Sequence, residues 1–357
     1  MLRAPRFWAA LATACVVAAG CGGDANDLKK AENGPVGRSG GRIVLVTNGN
    51  SDWWSAVEKG MKDAGTQFSA DVEMKRNGEN GGTEGQIRLL EEALGASDVK
   101  GVAVSAVEAD APGITDAMRK LKDAGKFVIT IDSDVAPSAA ETRRFYIGTD
   151  NAKAGEIAGQ AASALRPQGG TVAVFVGTAS AANARARLDG FFVGAGPKFV
   201  KPPVEVFEDQ ADMNKAQSLA EVAITKHPDA GVMLGLYSYN APRIASEVAK
   251  VPEFRKKTTV VTFDLDEQAV DHLAKGEIDV SVCQNPYEIG FQSVKLLKAL
   301  VGDDKATVEA MFPKGATAFD TGVRVIVPKA DSPVKGENVI TVEKMKQWLV
   351  GKGLKSS

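Results

Sequence analysis

Cysteine, histidine and aromatic residues are scarce in this 357-residue chain, which has three cysteines, two histidines and 6% Phe, Trp and Tyr combined. Cys15 and Cys21 fall near the N-terminus, so Cys283 is left as the ordinary thiol. No intrachain disulfide is then available unless Cys21 stays unmodified. In "DVSVCQ", Cys283 reads as a small buried apolar residue. His227 in "KHPDA" and His272 in "VDHLAKG" lie at or within helix ends, away from the ligand edge, and read as surface residues. There is no G-x-S-x-G, no phosphate loop and no G-x-G-x-x-G behind the first strand. "NGENGGTEGQ" reads as a loop leading into a helix, and "DSD" and "DLD" lack the twelve-residue calcium-loop pattern. The expectation is no catalytic residue, no metal and no cofactor, hence not an enzyme. Basic residues number 43 against 45 acidic, for a formal charge of −2 with no basic patch in sequence, so nothing points to nucleic acid.

Long apolar runs are also missing. The run from Phe7 to Ala19, behind Arg3 and Arg6, is too short to span a bilayer and reads as a secretory signal over residues 1–20. Small residues Ala18, Ala19 and Gly20 lead into Cys21, which resembles the bacterial lipobox, with Ala18 where leucine is usual. That resemblance implies lipidation at Cys21 and a membrane anchor, against a plain secreted form or a retained leader. Residues 21–41 are polar, glycine-rich and aperiodic, a tether between membrane and domain.

What is present, from Arg42 onward, is alternation. Short β-branched runs such as "RIVLVT" at 42, "VKGVAVS" at 99, "KFVITI" at 126, "TVAVFVG" at 171, "AGVMLGL" at 230 and "TTVVTF" at 258 are separated by helix-length segments. Nearly continuous apolar strands between helices indicate parallel sheets covered on both faces, an α/β doubly wound class. The pattern runs twice, over about 42–149 and 150–284, and the length suits two similar lobes.

Ligands of open parallel sheets bind beyond the carboxyl ends of the strands. The segments there are "NGNSDWW", "SAVEAD", "DSDVAP", "GTASAANARAR", "YSYNAPR", "FDLDEQ" and "CQNPYE". This inventory of Asn, Asp, Arg, Gln, Trp and Tyr suits a sugar, whose C–H faces pack on aromatic rings while amides, carboxylates and guanidinium groups bond its hydroxyls. Adjacent Trp53 and Trp54 either place one indole in a cleft with the other packed on the lobe, or both cap the sheet edge. For Asp132 and Asp264 the alternative to ligand binding is helix N-capping. Arg185 and Arg187 are either a solvated pair at a helix start or, for Arg187, a ligand donor. Asp134 and Asp266 read as caps or exposed loop residues.

With the aromatic pair Trp53–Trp54, "VITIDSD", "GTASAANARARLDGF", "VVTFD" and "VCQNPYEIG" in that order, the chain resembles the periplasmic sugar-binding proteins of ABC transporters, the ribose-binding family of the type I periplasmic binding protein fold. The resemblance runs from about Arg42 to Lys329. It implies two doubly wound lobes joined by a three-stranded hinge, with 42–149 plus 285–320 in the N-terminal lobe and 150–284 plus 321–330 in the C-terminal lobe. Residues 331–357 extend past the usual end, with a short helix carrying Trp348. The ligand residues it implies are Trp53 and Trp54 stacking on the sugar ring, Asp132 and Asp264 accepting from hydroxyls, Arg187 donating, and Gln284 bonding from the hinge. Asn240 or Tyr239 takes the place of a family asparagine, and Asn50 or Ser51 that of the asparagine before the aromatic pair. Ser133 stands where the ribose-binding pattern has arginine, which argues against ribose itself. The implied role is an extracytoplasmic, monomeric receptor that captures a monosaccharide or polyol and delivers it to an ABC permease. The alternative is a receptor for a signalling molecule or for a membrane sensor kinase. A repressor of the same fold would need a helix-turn-helix where residues 1–41 stand.

Overall fold

The computed structural model describes residues 40–78 and 81–357, so the expected leader, Cys21 and nearly all of the tether lie outside the described residues. The chain opens with β1 (Arg42–Val46), α1 (Trp53–Gln67), β2 (Asp71–Lys75), α2 (Gly82–Gly95), β3 (Val99–Val104), α3 (Pro112–Asp123), β4 (Phe127–Ile131) and β5 (Tyr146–Gly148). There follow α4 (Asn151–Leu165), β6 (Val172–Val176), α5 (Ala182–Ala195), β7 (Glu205–Glu208), α6 (Met213–Lys226), β8 (Val232–Gly235), α7 (Asn240–Ala249) and α8 (Pro252–Arg255). The remainder is β9 (Thr259–Phe263), α9 (Glu267–Lys275), β10 (Val280–Cys283), α10 (Pro286–Val301), α11 (Lys305–Met311), β11 (Ala318–Asp320), β12 (Arg324–Val327), β13 (Val339–Thr341) and α12 (Val342–Lys352). None of the described helices is long and apolar enough to cross a membrane.

Local chemistry sets many of these boundaries. Asp150, Asp212, Asp266, Asp304 and Thr341 each accept a backbone N–H in the first turn of the following helix, satisfying donors that the helix cannot. Proline opens α3, α8 and α10, where its missing N–H costs nothing. Gly276 and Gly353 end α9 and α12 in the left-handed conformation.

The strands form two sheets. The first runs β11-β5-β4-β3-β1-β2 and the second β13-β12-β10-β9-β8-β6-β7. The order β2-β1-β3-β4 in one repeats as β7-β6-β8-β9 in the other, so each lobe has its topological switch beside its first strand. All neighbouring pairs are parallel except β10 with β12, where the chain returns to the second lobe running the opposite way. Side chains alternate across each sheet. In β6, Val172, Val174 and Val176 join a core with α4 and α5, while Ala173 and Phe175 join another with α6, α7, α9 and α12. In β1, Ile43 and Leu45 face α1 and α10, and Val44 and Val46 face α2 and α3. A sheet sealed on both faces leaves only its strand ends for polar chemistry.

Each lobe has one helix pair in backbone contact. A Cβ on Gly60 of α1 would sit 1.9 Å from the Tyr287 carbonyl oxygen of α10, and one on Gly190 of α5 would sit 2.1 Å from the Ala152 oxygen of α4. No side chain fits in either gap. In the second lobe the same contact presses the Arg187 carbonyl against Gly155, 2.2 Å from where a Cβ would lie, which fixes where that arginine starts.

The chain passes between the sheets three times, at 149–151, 284–286 and 320–324. Gln284 Nε2 donates to Thr149 Oγ1 at 3.0 Å, the Asp150 N–H to Asp320 Oδ1 at 3.1 Å, and the Thr321 N–H to the Gly148 carbonyl at 2.8 Å. The three crossings are thus laced to one another. Residues 331–357 add β13 to the edge of the second sheet and α12 to its face, with Arg324 stacked 4.3 Å over the Trp348 ring.

Candidate functional site

Both lobes end their fourth strand in sheet-forming order with an aspartate. Asp132 follows β4 and Asp264 follows β9, and both have left-handed backbones, φ 55° and 58°. Neither caps a helix; that task in the second lobe falls to Asp266. A non-glycine residue in this region costs about 1 kcal/mol and persists where its surroundings hold it, as at many binding sites. The holders differ. Asp132 accepts from Ser105 Oγ at 2.8 Å and from Asn48 Nδ2 at 3.4 Å, while Tyr146 donates to its carbonyl oxygen at 2.9 Å. Asp264 accepts the Gln284 backbone N–H at 2.7 Å, and Ser281 Oγ donates to its carbonyl at 2.8 Å.

The two aspartates are 6% and 3% exposed, and Arg187, from α5, is 1% exposed. Burial pushes the Asp132 carboxyl up from its ordinary range and Asp264 up to about 7, and the Arg187 guanidinium pulls both back down. Arg187 is pinned through Nε to Asn151 Oδ1 at 2.9 Å and through Nη1 to the Leu236 carbonyl at 2.7 Å, with its plane over the Phe263 ring at 4.7 Å. Its Nη2 is buried without a protein partner. The Trp53 Nε1–H is likewise buried and unpartnered, and it lies close enough to Asp264, on the opposite lobe, to lower that carboxyl's pKa. Buried donors without partners are rare and call for an explanation. Here two such donors stand beside two carboxylates that retain free lone pairs. Hydroxyl groups, each donor and acceptor at once, would satisfy both.

Trp53 and Trp54 are 6% and 2% exposed and meet edge to face, with centroids 4.9 Å apart at 85°. Trp53 is the one whose polar atom reaches toward the other lobe. Gln284 contributes its side chain to the hinge and its backbone to Asp264. Asn240 is 1% exposed with its amide fully engaged, Oδ1 accepting from the Tyr237 N–H at 3.1 Å and Nδ2 donating to Asp209 Oδ2 at 2.7 Å. It shapes the loop after β8. Asn50 is exposed in its loop, and Asn48, two residues earlier, is the asparagine that reaches Asp132. Arg185 is exposed.

Sequence reasoning passed over several members. Ser105, Asn151 and Asn183 hold Asp132, Arg187 and the Tyr237 hydroxyl respectively. Asp209, after β7, accepts from Tyr239 at 2.8 Å and from Asn240, and burial raises its carboxyl to about 6. Each lies at a strand's carboxyl end or a helix start, which is the signal that marks them. A crevice of about 520 Å³ runs along the hinge, lined among others by Tyr146, Asn151, Asn183 and Asp320.

The model of the periplasmic binding protein domain family matches residues 41–305. The D-allose-binding periplasmic protein of Escherichia coli is 26% identical over 267 residues, 71% of this chain and 82% of that protein. The D-ribose/D-allose-binding protein of Pseudomonas aeruginosa is 26% identical over 203 residues, 54% of this chain; the match spans 61% of that protein's length. Among solved structures, the glucose-galactose binding protein GanP of Geobacillus stearothermophilus is 28% identical at a TM-score of 0.70, covering 81% of this chain and 98% of that one.

Proposed function

Since the chain belongs to the periplasmic binding protein family, we propose that it is an extracytoplasmic receptor that captures a monosaccharide or similar polyol between its lobes and delivers it to an ABC permease. The observation that carries this reading is the buried set of Asp132, Asp264, Arg187 Nη2 and Trp53 Nε1, drawn from both lobes, with unfilled acceptors and unfilled donors together. Asp132 and Asp264 accept from hydroxyls, Arg187 donates, and the Trp53 ring covers an apolar sugar face while its N–H bonds a hydroxyl. Gln284 joins the ligand residues to the hinge, so occupation of the cleft biases the lobes toward closure, which a permease reads. Relatives whose names state D-allose, D-ribose, or glucose and galactose support a sugar as the ligand. The proposed lobes divide at the hinge crossings given above. The protein acts as a monomer without enzymatic activity, held at the membrane through a lipid on Cys21.

The test is thermal unfolding of residues 22–357 with pentoses, hexoses, polyols and deoxysugars. A ligand bound only by the folded state adds about 2.7 kcal/mol at one hundred times its dissociation constant. One sugar raising the midpoint, with the rise abolished in Asp264→Ala, is the expected result. A flat response across the panel overturns the sugar reading.

A further inference from the structure

The segment after α12 reaches back into the site. Ser357 is fully buried and Ser356 is 6% exposed, although both lie beyond the helix that docks on the outer face of the second sheet. The Ser357 N–H donates to the Leu265 carbonyl at 2.8 Å, and the Leu265 N–H donates to the Ser357 carbonyl at 2.8 Å. Ser357 Oγ donates to the Gln284 carbonyl at 3.4 Å, and Ser356 Oγ donates to the Asp52 carbonyl at 3.3 Å. These partners are the immediate neighbours of Asp264 and Trp53, and Gln284 itself. Leu265 sits on the second lobe, Asp52 immediately precedes α1 on the first, and Gln284 is in the hinge. The same element touches the first lobe again, where Lys352 Nζ lies 4.0 Å over the Tyr287 ring.

We propose that residues 352–357 form a clasp that joins the two lobes beside the ligand cleft, with Ser356 and Ser357 acting as positioning residues for Asp264 and Gln284. This rests on the cleft being the ligand site. The reciprocal pair with Leu265 is a two-bond bridge placed one residue after a carboxylate in a left-handed conformation, so it restrains the backbone that aims Asp264. Because Gln284 donates its N–H to that carboxylate and offers its carbonyl to Ser357, clasp, hinge and carboxylate form one closed circuit of hydrogen bonds. The Ser356–Asp52 bond and the Lys352–Tyr287 contact each link the second lobe's C-terminal segment to the first lobe, so the clasp adds to closure whichever sugar is bound.

The experiment compares the parent protein with Ser356→Ala/Ser357→Pro and Lys352→Met, and with Val350→Ser, on the exposed outer side of α12, as a control. Proline at 357 removes the N–H that Leu265 accepts. Small-angle scattering without sugar and hydrogen exchange at the Leu265 and Gln284 amides read the clasp directly; D-allose dissociation, followed by tryptophan fluorescence, reads its effect on the site. The double variant is expected to exchange faster at Leu265, to have a larger radius of gyration, and to release D-allose about five- to tenfold faster, the scale of one net hydrogen bond. Lys352→Met should show a smaller rise in the radius of gyration and Val350→Ser none. A double variant that exchanges faster at Leu265 yet keeps the parent's radius of gyration and release rate overturns the proposal and leaves the segment as packing of one lobe. If the parent itself fails to bind D-allose, that counts against this sugar in the cleft, and the scattering comparison alone decides the clasp.

Discussion

The two lobes share a frame and differ in what they place at its mouth. Each has a sheet wound in the same order, one helix pair touching through glycine, and a left-handed aspartate after the fourth strand of the series. The first lobe holds its aspartate with side chains, Ser105 and Asn48, and adds the tryptophan pair. The second holds the carboxylate of its aspartate with a backbone donor, the Gln284 N–H, and adds Arg187 and the Tyr237–Tyr239–Asp209 cluster. Repetition therefore supplies the geometry, and the unmatched residues supply the charge and the aromatic surface. One arginine serves two carboxylates from opposite lobes, so bringing the lobes together offsets buried charge.

That asymmetry should be largest at Arg187. Arg187→Ala leaves both carboxylates without their cation and is expected to cost about 3–5 kcal/mol of folding stability, read by urea unfolding, along with measurable sugar binding. A loss under 1 kcal/mol would mean that the lobes do not share the charge. Next come the carboxylates. Folded Asp264 titrates at about 7 against 3.8 in the open chain, so the folded protein keeps a proton that the unfolded chain has lost. The stability this confers is complete below the lower value and is lost as pH rises through the upper one. Urea midpoints measured from pH 4 to 8 should fall with pH, and Asp264→Asn should flatten the decline. Asp209, at about 6, has the same sign and should keep a residual slope in that variant.

Packing should break the comparison the other way, because here the lobes are alike. Gly60→Ala and Gly190→Ala each drive a methyl into a backbone oxygen of the partner helix, and each should lower stability by about 1–3 kcal/mol. Gly190 sits on the helix that bears Arg187 and Gly60 on the helix that bears Trp53, so both variants should also weaken sugar binding beyond their effect on stability, Gly190→Ala the more because it moves the cation shared by two carboxylates, as calorimetric titration would show. The smallest effect is expected within the tryptophan pair. Trp53→Phe removes the N–H beside Asp264 and should weaken binding by about 1 kcal/mol, and the sugar-dependent fluorescence change should vanish with it. Trp54→Phe should leave that change in place; the reverse outcome would assign the cleft to Trp54.

Much of this frame was legible in the chain. Apolar runs of four to six residues spaced by amphipathic helices are a direct consequence of burying both faces of a sheet, so the α/β class followed from pattern alone. The short strands β5, β11 and β13 did not, because three residues carry no period. Asp132, Asp264 and Arg187 were marked by strand-end position and motif, and the structure places them in mutual electrostatic reach. Asn48 was missed for Asn50 because loop residues have no periodicity to fix which one turns inward. Asn240 was read as a ligand group, whereas its amide is engaged by Asp209 and Tyr237, partners a linear reading cannot pair. The burial of Ser356 and Ser357 had no local signal, since it depends on Leu265, Gln284 and Asp52, which are distant in sequence.

The left-handed backbones of Asp132 and Asp264 carry a consequence for how such a protein changes ligand over generations. That region favours glycine, asparagine and aspartate, and other side chains enter it at a cost, as Ser69, Gln210, Ala211 and Lys314 do elsewhere in the chain. The two positions proposed for hydroxyl recognition are therefore biased toward a short alphabet, of which one letter has no side chain. Selection for a new sugar has little room there, and must write its changes in the neighbours that surround them, such as Ser133, Asn183, Tyr237 and Trp53.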